Sequence, residues 1–191
     1  MLDAVHAASA ATGLQIGVIV GANRTRHPLD ARTLARLAVR YADAGVVGFG
    51  LANDERRGRA EDFADAFRIA REGGLIGVPH GGELNGPDSV RGCLDVLQAQ
   101  RIGHGVRSVE DPALVDRIAD AGVALEVCPA SNVALGVYDV PASVPLRKLV
   151  DAGIHVALGA DDPLLFGSRL AAQYQTARDV HGFDDAGLAS L

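Results

Sequence analysis

The sequence predicts an α/β fold of the TIM type, a (β/α)8 barrel that is incomplete over these residues, with about six βα units. Apolar, β-branched runs alternate with segments of helical period along the whole chain. Helices stop repeatedly in one wording, Ala42-Asp43-Ala44-Gly45, Ala119-Asp120-Ala121-Gly122 and Val150-Asp151-Ala152-Gly153, each leading straight into a strand. The glycine fingerprint of a doubly wound sheet is missing. The first run ends Gly21-Ala22-Asn23-Arg24, and Gly48-Phe49-Gly50 lacks the third glycine.

In chain order, MLDAVHAASAATGL reads as a helix entered partway; it has no basic segment before an apolar core and so is no signal peptide. Strands are expected at residues 15–21, 46–51, 75–79, 101–104, 123–128 and 154–159. Between them lie stripes near the 3.6-residue repeat: Leu34, Leu37, Ala38 and Tyr41; Phe63, Phe67 and Ala70; Val90, Leu94 and Leu97; Leu114, Ile118 and Ala121. Asp111-Pro112 is a cap followed by proline at the first helical position, and Gly45, Gly73, Gly122 and Gly153 sit where helices should stop. No Ser/Pro-rich linker divides the chain, so residues 1–191 are expected to form a single, partial barrel domain.

The chain has 191 residues, is 48% hydrophobic and 22% charged, and carries a net charge of −6. The apolar content suits one core, and the acidic balance argues against a nucleic-acid partner. No run approaches the ~20 apolar residues of a membrane span. Two cysteines, Cys93 and Cys128, suit reduced thiols in a cytoplasm.

In a barrel, side chains at the C-terminal ends of the strands converge on one mouth. Those positions hold Arg24, Arg26 and His27; Asn53, Asp54 and Glu55; His80 and Glu83; His104; Ser131 and Asn132; Asp161 and Asp162. Imidazoles and carboxylates on one rim suit a divalent metal with acid–base groups beside it. Taken singly, each has a plainer reading. A lone histidine at a strand end is more often a hydrogen-bonded structural group, Glu83 could be a solvated charge, and Asp before Pro is an ordinary helix cap. Their recurrence at the same end of successive strands favours chemistry. His6, His155 and His181 read as structural or solvated, and Cys128 as packing rather than nucleophile.

The rim residues stand in the order His80-Gly81-Gly82-Glu83, Arg101-Ile102-Gly103-His104-Gly105, Glu126-Val127-Cys128-Pro129-Ala130-Ser131-Asn132 and Asp161-Asp162-Pro163-Leu164-Leu165-Phe166. This set resembles the adenosine deaminase family, zinc-dependent (β/α)8 barrels that hydrolyse the 6-amino group of purines. The resemblance runs from Arg26-His27-Pro28 through Asn53-Asp54-Glu55 to Phe166. It implies that His80 and Asp161 bind one zinc ion. Glu83 would protonate the purine ring nitrogen, His104 would orient and deprotonate the attacking water, and Asp162 would hydrogen-bond the five-membered ring. The implied partner is a small purine, with no nucleic acid and no membrane.

The sequence departs from the family in places that bear on substrate. Asn53 stands where a glycine amide approaches the purine, and Val144-Pro145 where His-Pro is common. Arg24, Arg26 and His27 form a basic group that is either solvated or supplies one arginine to a carboxylate or phosphate on an adenine derivative, with Arg26 the residue to substitute. No His-x-His, the family's further pair of zinc ligands, occurs in these residues. The resemblance therefore implies barrel strands three to eight, with the expected start in the helix before the third. Two other readings stay open: an inactive, truncated fragment or binding remnant of such an enzyme, and another zinc amidohydrolase.

Overall fold

The computed structural model describes residues 1–191 throughout. Its six strands are β1 (Val18–Asn23), β2 (Val46–Ala52), β3 (Ile76–Gly81), β4 (Arg101–His104), β5 (Ala124–Val127) and β6 (Val156–Leu158). They stand side by side in chain order, and every neighbouring pair is parallel. An order that never reverses means each crossover steps the same way round, which is the winding of a barrel; a doubly wound sheet reverses at its switch point. The outer sides of β1 and β6 pair with no other strand, so the arc is open.

The connecting helices are α1 (Leu2–Thr12), α2 (Pro28–Arg40), α3 (Ala60–Glu72), α4 (Pro87–Asp95), α5 (Pro112–Asp120), α6 (Pro129–Ala134), α7 (Leu146–Asp151), α8 (Pro163–Phe166), α9 (Leu170–Asp179) and α10 (Asp185–Ala189). None is long and apolar enough to cross a membrane. Strand alternation sends one set of side chains into the helices. Phe49 and Leu51 of β2 are buried there with Phe63 and Phe67 of α3, and the Phe49 and Phe67 rings meet edge to face at 5.2 Å. A second cluster gathers Ile102, Leu114, Ile118, Leu125 and Leu149 around β4–β6. The opposite, inner face holds Ile19, Gly48, Ile76, His80, Arg101, Gly103 and Glu126, the side that leads to the strand ends.

Several expected boundaries shift. β1 begins at Val18, where it first pairs with Val46, and runs on to Asn23, so residues 15–17 lie outside the ladder. β3 begins at Ile76 and continues past Pro79, taking in His80 and Gly81 beyond the expected strand end. β5 and β6 are shorter than expected, because Cys128 already precedes α6 and Ile154 and His155 lie before the ladder. At the Gly73-Gly74 pair the left-handed residue after the helix is Gly74, at φ 83°, rather than Gly73.

The α2 stripe is also different. Ala31, Ala35 and Ala38 are its buried positions, while Leu37 and Tyr41 are exposed. Small alanines let α2 and the alanine-bearing face of α3, Ala66 and Ala70, approach closely, and that outweighs burial of the larger residues.

Candidate active site

His80 is held at the end of β3, register-paired with Gly103 of β4. A Cβ on Gly103 would come within 2.6 Å of His80 Cδ2, so the glycine lets the imidazole lie across the neighbouring strand. The His80 carbonyl accepts from Arg24 Nη2 at 2.6 Å, and Arg24 itself is buried. The ring meets that of His104 edge to face, with centroids 4.8 Å apart. Burial, with the nearby Arg24 charge against the opposing pull of Asp161, holds the His80 pKa below its ordinary value. The ring is therefore neutral and free to ligate.

After β3 the chain turns at Gly82, at φ 70°, and brings Glu83 inward, where the residue is only 6% exposed. Glu83 Oε1 lies 3.4 Å from His104 Nδ1 and accepts from Asn132 Nδ2 at 3.4 Å. Burial, then the negative charges of Asp161 and Glu55, push its pKa up to about 8. At neutral pH this carboxyl keeps its proton, as a general acid must.

His104 ends β4 in a left-handed conformation (φ 65°) and is 2% exposed. Asn132 Nδ2 also reaches its Nδ1, at 3.3 Å, and because an amide nitrogen only donates, this contact is a hydrogen bond in the tautomer with the ring proton on Nε2. That Nε2 faces Asp161 Oδ2 at 3.9 Å. Burial, then the neighbouring His80, lower the His104 pKa to about 3. Asp161, left-handed at φ 56°, follows β6 and accepts from Ser131 Oγ at 2.6 Å. Asn53, His104 and Asp161 are three of the four non-glycine residues with positive φ, and all three stand at the strand ends. Such backbone strain, of order 1–3 kcal/mol per residue, gathers where function imposes it.

His80, His104 and Asp161 line one pocket of about 410 Å³ with Arg101, Glu126 and Cys128. The donor atoms of His80, Glu83 and His104 lie within 4.8 Å of one another, as do those of His104, Cys128 and Asp161. Neutral imidazole and carboxylate oxygen suit zinc or a similar ion, so the residues present fit such a metal. Cys128 belongs to the second of these groups, and burial first, then Asp161 and Glu126, push its thiol up to about 12. A larger cleft, of about 810 Å³, lies behind the Glu83 loop and contains none of His80, His104 and Asp161.

Three other expected site residues stay outside the cluster. The Asp162 side chain caps α8, accepting from Leu164 N at 3.1 Å and Leu165 N at 3.0 Å. The paired aspartates thus divide the two readings: Asp161 faces His104 and Asp162 caps. Asn53 is exposed and accepts from the Asp54 amide at 2.9 Å. Arg26 is exposed, while its neighbour His27 caps α2 by accepting from Leu29 N. Arg24, expected in the basic group that is solvated or meets an anionic substrate, is instead buried and donates to the His80 carbonyl. Glu55, Ser131 and Asn132, placed on the rim by sequence without a role of their own, also hold the cluster. Their signals in the sequence were position at a strand end and, for Glu55, Ser131 and Asn132, a place inside the motifs that carry the resemblance.

The family model described as adenosine deaminase matches residues 1–191. A protein of Streptomyces virginiae, provisionally named adenosine/adenine deaminase, is 69% identical over 191 residues, all of this chain and 56% of that protein. An adenine deaminase of Agrobacterium fabrum is 45% identical over 184 residues, 96% of this chain and 57% of its own length. The crystal structure of an adenine deaminase from Arthrobacter aurescens superposes with a TM-score of 0.91 at 29% identity, over 99% of this chain and 57% of the other. An amidohydrolase from Burkholderia ambifaria with bound zinc gives a TM-score of 0.84 at 26% identity, over 97% and 52%. The chain thus spans a little over half the length of the relatives it matches.

Proposed function

This chain belongs to the adenosine deaminase family, and from that premise we propose that it serves the metal-dependent hydrolysis of the 6-amino group of adenine, adenosine or a related adenine compound. The observation that carries the reading is a buried carboxyl, Glu83, with its pKa near 8, against a neutral histidine and beside a second imidazole and a carboxylate. A general acid is needed there because replacing the amino group by water requires a proton on the ring nitrogen as the ring loses its aromatic character.

Within the proposal His80 and Asp161 hold zinc. When bound, the ion supplies Lewis acidity that brings the pKa of water from 15.7 to about 7. The resemblance gives His104 both orientation and deprotonation of the water. Its pKa near 3 favours the first: a neutral ring with its proton on Nε2 donates a hydrogen bond and holds the attacking water in place. Glu83 supplies the proton. Asn53 and Asp162 are proposed to meet the purine at the rim, and Arg26, exposed, an anionic group on it.

Residues 1–191 include His80 and Asp161, where a catalytic zinc site commonly uses three protein ligands. The proposal is therefore made for the whole protein that carries them. The test is ammonia release from adenine, adenosine, deoxyadenosine and an anionic adenine nucleotide, with Arg26→Ala alongside. Release from at least one of these supports the reading, and none from any of them overturns it. An Arg26→Ala variant with unchanged relative kcat/KM between adenosine and the nucleotide removes Arg26 from substrate choice.

A further inference from the structure

The groups that place Glu83 come from a different βα unit. Glu55, in the loop after β2, is a carboxylate only 4% exposed. Its Oε2 accepts from the Glu83 amide at 3.0 Å and the Asn85 amide at 2.8 Å. Its Oε1 accepts from Ser89 Oγ at 3.2 Å, and its backbone carbonyl accepts from Asn85 Nδ2 at 2.7 Å. Three hydrogen bonds thus join one residue to the turn that carries Glu83, and a fourth joins it to Ser89 of α4, across 28 to 34 positions of sequence.

Resting on the deaminase reading, we propose that Glu55 is a positioning residue that clamps the Gly82–Asn85 turn, so that the Glu83 carboxyl is aimed at His104 and the reaction pocket before substrate arrives. The geometry demands such a group. The turn is left-handed at Gly82, and the Glu83 and Asn85 amides both donate to Glu55, which lines the outer cleft together with Asn85. Without Glu55 these two donors, in a part-buried site, have no protein acceptor, and a buried donor without a partner drives local rearrangement. A carboxylate is the side chain suited to this place, since one of its oxygens can accept from both amides while the other takes the hydroxyl. Alignment within about half an ångström is what a proton-transfer group needs, and backbone anchoring of the turn supplies it.

The test uses the full protein and three variants, Glu55→Ala, Glu55→Asp and Glu55→Gln. Amide hydrogen exchange is read at Glu83 and Asn85, and kcat and KM are measured with the purine that the unsubstituted protein turns over best. A carboxamide can keep both amides on its oxygen and donate to Ser89 Oγ, so Glu55→Gln should keep slow exchange and lose less turnover than Glu55→Ala. Glu55→Ala should raise exchange at these two amides about tenfold or more. Its kcat should fall by a similar factor while KM moves less than about threefold, because the acid is displaced and binding is not. If Glu55→Ala does not fold, Glu55→Asp decides, since one methylene less withdraws the carboxylate from both amides. Unchanged exchange at Glu83 and Asn85, or an equal rise across β4 and β5, overturns the clamp. Absence of turnover in the unsubstituted protein overturns the deaminase reading and leaves the exchange experiment to decide the clamp.

Discussion

Glu83 and His104 depart from solution behaviour in opposite senses, and each leaves a mark on stability. The folded Glu83 pKa, about 8, lies above its ordinary 4.5. The folded state then holds a proton that the unfolded state has released, so this group's contribution falls as pH rises from about 4.5 to about 8. His104 is lowered to about 3 from 6.5, so the unfolded state binds the extra proton, and stability is lost as pH falls from 6.5 toward 3. Urea unfolding across pH checks both: Glu83→Gln should flatten the decline above pH 4.5 and leave the acid limb in place. Asn132 is fully buried, offers one amide to both groups, and leaves its own Oδ1 without a partner. Asn132→Asp replaces the donor with an acceptor, and should move the His104 proton from Nε2 to Nδ1. Nitrogen-15 chemical shifts of the ring read that directly, and an unchanged tautomer would show that Asn132 does not set it. The chemistry-bearing residue types were legible in the sequence at this scale. Their support was not, because Glu55 and Asn132 reach Glu83 from 28 and 49 positions away, and no local pattern records a contact between separate βα units.

Among the elements, β2 is legible within a residue because a strand covered by helices shows as a continuous apolar run, and β4, Arg101-Ile102-Gly103-His104, keeps its expected bounds although only Ile102 is apolar and large. β1 and the α2 stripe were misread for related reasons. Ile19 and Val47 at the open side are each over two-fifths exposed, and Leu37 and Tyr41 of α2 are exposed as well. Hydrophobicity in the sequence therefore did not mean burial here, and the alanines took the contact positions. The β3–β4 pairing is the element on which the site depends most. Gly103→Ala places a methyl where the His80 ring lies, forcing the imidazole off β4 while leaving the outward-facing Ile102 packed. Zinc affinity should fall by about tenfold or more, the scale seen when the support of a ligand is lost. Competition with a chromophoric chelator measures it; unaltered affinity would show that His80 needs no such clearance.

Residues 1–191 form an arc of parallel strands with the candidate site at one rim and two strand edges that pair with no other strand. Leu14, Ile16, Ile19 and Val47 are exposed at the β1 side, and Leu164, Leu165 and Leu170 follow β6. Unpaired edges flanked by apolar side chains favour association between chains. Residues 1–191 alone should self-associate, and Ile19→Lys should raise the monomer fraction in sedimentation velocity. A monomer already without the substitution would mean that the edges are protected in another way. The sequential strand order was legible from the repeated helix–glycine–strand joints, whereas the inner cavity and its pairings exist only once six separate strand ends are brought round the arc. Zinc content and 6-aminopurine deamination, measured together on the protein and on its Glu83→Gln variant, separate metal binding from proton transfer by Glu83. Equal zinc with turnover reduced by about 10²-fold or more is the predicted result, and a zinc-loaded variant that deaminates at close to the original rate would contradict it.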